Sequence, residues 1–196
     1  MNNYAVFLDV DGVINSIQHL YSEGVIKFDY ETKSHRLNGY NVWIPEYMPE
    51  LIQAIYKSTD LYWLTTWRDN ANEYVSPALG IPTDIPVIDD GTNQRSPGWK
   101  FNACYPLAKK LHEQGQTILW IEDFAGHVDN RLKQYLTYID TDRNDEGVFL
   151  PQHLPESFLD FISVKGGYDG PTYVEAPHQY GTYKIGPRNI GTGSRA

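Results

Sequence analysis

A single cysteine, Cys104, in a chain of 196 residues has no partner within the chain, so no internal disulfide is available. No apolar run approaches the roughly 20 residues that a helix needs to span a bilayer. The opening residues, Met1-Asn2-Asn3-Tyr4, lack the basic and apolar regions of a secretory signal. These absences predict a cytoplasmic protein with no membrane partner. Positive charge is also scarce: 16 Lys and Arg face 25 Asp and Glu, a formal net charge of −9. The shortage lies in the body, because residues 164–196 carry Lys165, Lys184, Arg188 and Arg195 against Asp169 and Glu175. An acidic body repels a long polyphosphate backbone, so no extensive nucleic-acid surface is expected. A short strand end is a separate case, since a metal and one or two cations dominate at contact distance.

What the chain does have is enough length for one full core, and 41% hydrophobic residues to build it. Tyr4–Leu8, Leu61–Thr65, Thr117–Ile121 and Thr137–Ile139 read as strands. Helical spacing marks 45–58, where Met48, Leu51, Ile52, Ile55 and Tyr56 recur, with Pro45 at its start. Asp69 is expected to cap a short helix over 70–75, ended by Pro77 and Gly80. Ile85–Ile88 is a weaker strand, followed by a turn at Asp89-Asp90-Gly91. Further helices are expected over 99–114, broken in two by Pro106, and over 128–136 and 156–163. Strands alternating with helices predict an α/β fold with a mostly parallel sheet. Residues 14–44, with a short strand at 25–28, read as a small flap inserted into a domain covering 1–163. Residues 164–196, rich in Gly, Pro and Tyr, read as an extended tail.

The first strand ends abruptly in Asp9-Val10-Asp11-Gly12-Val13. Carboxylates crowded at a strand end repel one another unless a cation or proton lies between them, and hard oxygen ligands of this kind suit Mg²⁺. A calcium-binding EF-hand loop would need glycine at its sixth position and glutamate at its twelfth; counted from Asp9, those positions hold Ile14 and Leu20. In an open parallel sheet, ligands bind beyond the carboxyl ends of the strands. Asp9, Asp11, Thr65, Thr66, Glu122 and Asp123 all follow predicted strands, and Lys100 opens a helix after a Gly/Pro turn. Taken singly, each has an ordinary explanation as a turn, strand or surface residue. Acid, hydroxyl, amine and acid on one sheet edge make a phosphate-handling constellation.

In the same order, Asp9-Val10-Asp11-Gly12-Val13, Leu64-Thr65, Lys100 and Ile121-Glu122-Asp123 resemble the motifs of the haloacid dehalogenase superfamily. The stretches 63–72, Trp99-Lys100 and 119–123 are also similar to a narrower branch of bacterial and phage domains, some attached to RNA-repair modules. The resemblance covers about 4–163. It implies a Rossmann-like three-layer sandwich with a small flap instead of a large cap, and a Mg²⁺-dependent phosphomonoester hydrolase. Asp9 would be the nucleophile and Asp11 the acid and base. Thr65 and Lys100 would hold phosphoryl oxygens. The metal would lie on Asp9, the backbone carbonyl of Asp11, and Glu122 or Asp123. Glu122 departs from the family pattern, which has aspartate there, so either member of the pair stands as ligand. Thr66 and Arg68 are candidate substrate contacts, with a surface ion pair the ordinary alternative for Arg68. His127 is a candidate site-lining residue, against a loop role, and Cys104 a packing residue. The expected substrate is a phosphorylated small molecule, a nucleotide or a nucleic-acid end. A phosphorylation-dependent signalling module is the second reading, although an acceptor aspartate there follows a middle strand; a catalytically silent binding protein is the third.

Overall fold

The apolar run Tyr4-Ala5-Val6-Phe7-Leu8 is a strand buried on both faces, as a central strand of a covered parallel sheet must be. The computed structural model describes residues 2–17, 26–27, 30–91, 98–124, 130–142, 147–175 and 178–179. In chain order the elements begin with strands β1 (Tyr4–Leu8), β2 (Ile26–Lys27), β3 (Thr32–Leu37) and β4 (Tyr40–Pro45), then helix α1 (Met48–Ser58) and strand β5 (Asp60–Trp63). A π-helical turn at Ala71–Val75 runs into the short helix α2 (Ser76–Leu79), followed by α3 (Trp99–Glu113). Strands β6 (Thr117–Glu122) and β7 (Thr137–Asp140), helix α4 (Glu156–Gly166) and strand β8 (His178–Gln179) complete the order.

The central sheet runs β5-β1-β6-β7, with every neighbouring pair parallel. The chain leaves β1 for β5 on one side, then returns past β1 to β6 on the other. The reversal falls between β1 and β6, and sheets of this kind bind ligands beyond the carboxyl ends of the strands at such a point. Side chains alternate across the sheet. Val6, Leu8, Leu61, Trp63, Leu119 and Ile121 pack with α1 and α4, whereas Ala5, Phe7, Ile118 and Trp120 pack with α3. Helices therefore cover both faces, giving three layers. Each fully buried large side chain, Phe7 or Leu51 for example, contributes about 1.5–3 kcal/mol.

The insertion after β1 contains an antiparallel hairpin of β3 and β4, closed by Asn38 and Gly39 in left-handed conformations, and Val42 and Ile44 anchor it to the core. β2 pairs with β8 antiparallel; the rest of the expected strand at 25–28 lies outside the described residues.

Several boundaries differ from the sequence reading. Pro45 ends β4, paired with Thr32, and the helix begins at Met48 with Pro49 in its first turn. Asn70 rather than Asp69 occupies the cap of the π-turn, and Pro77 lies inside α2, which ends at left-handed Gly80. Pro106 does not break α3: it and Asn102, whose carbonyl loses its helical donor, both lie on the exposed side of the helix, where solvent can stand in for the missing bond. Ile85–Ile88 makes a single parallel bridge between Val87 and Trp63 rather than a full strand. It is stitched by Asn72, which donates to the Ile85 carbonyl at 2.7 Å and accepts from Trp63 Nε1 at 3.2 Å. The described part of 128–136 is a turn, with Tyr135 and Leu136 N–H both bonded to the Leu132 carbonyl.

The C-terminal reading changes most. α4 continues past Ser163 to Gly166, and Tyr168 and Val174 join the core. Gln152 fixes Val174 through both backbone groups, at 2.6 and 3.1 Å. The described segment 168–175 is therefore part of the packed body. Among the described residues no helix is long and apolar enough to cross a membrane.

α4 meets α1 so closely at Gly166 that a Cβ there would overlap the Ala54 carbonyl. Because the obstacle is backbone, it cannot rotate aside. Gly166→Ala is expected to cost about 1–3 kcal/mol and lower the melting temperature by about 3–10 °C. An unchanged thermal melt would show that the helices separate without cost.

Candidate active site

Asp9 directly follows β1, and its N–H bonds the Ile121 carbonyl at 3.2 Å, which continues the ladder one step beyond the strand. The carboxylate thus emerges from the middle of the sheet and is only 5% exposed. Lys100 reaches it from the first turn of α3, entered through left-handed Gly98. The lysine is 2% exposed, and its Nζ donates to Asp9 Oδ2 at 2.7 Å and to Glu122 Oε2 at 2.5 Å. Burial alone would lower the Lys100 pKa, but the charges of Asp9 and Glu122 outweigh it and hold the ammonium more firmly protonated than usual.

Glu122 ends β6 and is 1% exposed. Burial, followed by the Asp9 charge, pushes its carboxyl up to about 9 against the pull of Lys100. Asp123 is less buried, and burial and Asp9 push it up to about 6. Without a further cation, three carboxyl groups cannot all ionise around one ammonium in a place with little water, and the raised Glu122 and Asp123 express that crowding. Gly12 permits this crowding. Its φ of +74° suits glycine, and any Cβ would overlap the Asp123 carboxyl.

Thr65 is fully buried beyond β5, and its Oγ1 accepts from the Trp67 N–H at 3.3 Å, leaving the hydroxyl proton free to be donated elsewhere. Thr66 is exposed. Arg68 has a left-handed φ of +50°, pairs with Asp89 at 3.2 Å and lies over the Trp99 ring at 5.9 Å. Its ion pair is partly exposed and worth little as a stabilising contact. His127 lies outside the described residues. Cys104 is buried, and burial raises its thiol to about 12, which suits packing rather than reactivity.

Asp11 stands apart from the lysine cluster. Asn15 Nδ2 donates to its Oδ1 at 2.9 Å, and Trp67 Nε1 donates to its Oδ2 at 3.0 Å. The sequence reading missed Asn15, Trp67 and Thr141. Thr141 Oγ1 donates to the Gly12 carbonyl at 2.7 Å and its N–H to the Glu122 carbonyl at 3.1 Å, tying the two acidic loops together. For Asn15, a polar residue closing the apolar stretch Val13-Ile14 is the only signal in the sequence.

The residues present fit a divalent metal. Asp9, Glu122 and Asp123 each offer a ligand atom within 4.8 Å of the others. Asp9 Oδ1 is buried and accepts no hydrogen bond, a costly state that a cation would relieve. Both Glu122 oxygens are engaged, one by Lys100 and the other by the Phe124 N–H at 3.3 Å. That commitment favours Asp123 over Glu122 as the principal partner of Asp9. The Asp11 side chain, held by Asn15 and Trp67, is outside this triad.

No family model matches the chain, and no solved structure matches it. The chain is similar to a curated protein, the histidinol-phosphate aminotransferase of Haloquadratum walsbyi, with 28% identity over 140 residues covering 68% of this chain. The match spans 33% of that protein.

The lysine clamp makes a testable demand on stability. Lys100→Met removes the counter-charge that, among the described residues, alone contacts Asp9 and Glu122 directly, and should lower unfolding free energy by about 3–5 kcal/mol in urea titrations. Added Mg²⁺ should restore part of the loss. Wild-type stability in the variant would mean that the two carboxyls do not need the ammonium.

Proposed function

We propose that this protein is a Mg²⁺-dependent phosphomonoester hydrolase that works through an aspartyl-phosphate on Asp9. The observation that carries this reading is the buried, unpartnered Asp9 Oδ1 inside a carboxylate triad, with the Lys100 ammonium donating to its other oxygen. A metal held by Asp9 and Asp123, with Glu122 and the Asp11 carbonyl as further candidates, would supply charge neutralisation for a phosphate dianion approaching three carboxylates.

The chain's own groups account for the rest. Lys100 fixes Asp9 Oδ2, so the nucleophile does not rotate away. An Asp9 oxygen bonds to phosphorus as the bond from phosphorus to the ester oxygen breaks. The electron pair stays on the departing oxygen, which takes a proton from Asp11. Asp11 then takes a proton from water as the water oxygen bonds to phosphorus, and Asp9 leaves as a carboxylate. Thr65 donates its hydroxyl proton to a phosphoryl oxygen, and Lys100 adds positive charge beside it. This division of labour, positioning plus charge stabilisation, is what phosphoryl transfer requires. Exposed Thr66 lies at the edge, where it can contact substrate, and Arg68 can do so by exchanging Asp89 for a substrate anion.

Transamination, suggested by the relative's name, suits the centre poorly. A lysine that forms a Schiff base must lose its proton, whereas Lys100 is clamped as an ammonium between two carboxylates.

Asp9→Asn keeps size while removing the nucleophile, and is expected to abolish turnover of phosphomonoesters without loss of fold. Equal activity in the purified variant would overturn the role of Asp9. Saturating Mg²⁺ at about 100 times its dissociation constant should add about 2.7 kcal/mol to wild-type stability. That increment should shrink in Asp123→Asn and vanish with chelator. A thermal melt indifferent to Mg²⁺ would remove the metal from this account. Ca²⁺ should support less turnover, because its longer bonds and higher coordination misplace phosphorus relative to Asp9.

A further inference from the structure

We propose that Asn15 and Trp67 are positioning residues for Asp11, and that through them the β3–β4 hairpin sets the orientation of the proton-transferring carboxyl. This rests on the hydrolase reading above. Each oxygen of Asp11 has its own donor: Asn15 Nδ2 at 2.9 Å on Oδ1, and Trp67 Nε1 at 3.0 Å on Oδ2. The two donors come from different parts of the fold, so the carboxyl cannot turn about its bond without breaking one of them.

Asn15 is itself held. It is 3% exposed, its N–H bonds the Val10 carbonyl at 2.8 Å, and its carbonyl accepts from Gly12 at 3.0 Å. Its side-chain oxygen accepts from the Trp43 N–H of β4 at 2.9 Å, and the next residue, Ser16, donates to the Trp43 carbonyl at 2.9 Å. Trp67 touches the same hairpin from the other side. Its ring meets the Tyr40 ring edge-on, with centroids 6.0 Å apart, and Tyr40 is 65% exposed. Both supports of Asp11 therefore bear on β4, one through its backbone and the other through an exposed aromatic ring. A purely structural role for Asn15 and Trp67 would explain the contacts to the hairpin but not why both polar tips converge on the same carboxyl.

The role has a kinetic signature. Asp11 gives its proton to the departing oxygen while the phosphorus–oxygen bond breaks. A 4-nitrophenolate departs with little need of that proton; an alkoxide needs it. The experiment compares kcat/KM for 4-nitrophenyl phosphate and glycerol phosphate, in Mg²⁺, for the full chain and for Trp67→Phe, Asn15→Ala and Asp11→Asn. Trp67→Phe removes the N–H donor at a smaller ring volume and keeps an aromatic ring against Tyr40, so it guards against a folding failure in Asn15→Ala. The expected result is a loss on glycerol phosphate about tenfold or more greater than on 4-nitrophenyl phosphate, in both positioning variants as in Asp11→Asn. Combining Trp67→Phe with Asp11→Asn should add little further loss. Equal losses on the two esters, no loss, or additive losses in the double variant would overturn the positioning role while leaving the hydrolase reading intact. A wild-type protein that turns over neither ester would overturn the hydrolase reading and this proposal with it.

Discussion

The buried ammonium of Lys100, held between Asp9 and Glu122, is the contact on which the rest of the centre depends. It joins the carboxyl ends of the two central strands and the first turn of α3 with two charge-assisted bonds. Without it, the parallel pairing of β1 and β6 would bring two carboxylates together in a place with almost no water. With it, the carboxyl ends of β1 and β6 become a charged site with a fixed geometry. The compensation is incomplete, since three acids surround one base, and a further cation would relieve that imbalance. The same excess charge explains how a protein with a net charge of −9 can be read as a phosphate enzyme. Under the proposed reading the body repels polyanions at long range, and a single phosphate would meet a metal, Lys100 and Thr65.

Much of this centre was legible in the sequence, because strand ends are legible. The apolar runs 4–8, 61–65 and 117–121 place Asp9, Thr65 and Glu122 on one edge whatever their exact lengths. Lys100 was legible for a related reason: a Gly/Pro turn before a helix puts the first helical residues near that edge. What could not be read was anything that depends on the inserted hairpin. Asn15 and Trp67 are ordinary polar and aromatic residues until β4 folds over and brings Trp43 and Tyr40 against them.

Proline was a poor guide for the same reason. Its local cost at Pro106 and Pro77 is real, but an exposed backbone position in α3 and the first turn of α2 absorb it. At the C-terminus composition speaks for an extended tail, and the described residues add a packed stretch to that reading. Gly-Gly and Gly-Pro pairs suggest an unpacked tail, yet Tyr168 supplies the apolar area that holds 168–175 to the body, and its hydroxyl bonds the Pro171 carbonyl at 2.5 Å.

The central position of β1 also bears on how the molecule is made. Both neighbours of the first strand come from far along the chain, Asp60–Trp63 on one side and Thr117–Ile121 on the other. A ribosome releasing this chain exposes an apolar strand long before either partner emerges, and closing such distant pairings is slow. Asp9 and Asp11 at its end are charges of the kind that discourage an exposed strand from pairing with another chain. The carboxylates that crowd the finished centre would then serve first as gatekeepers during synthesis.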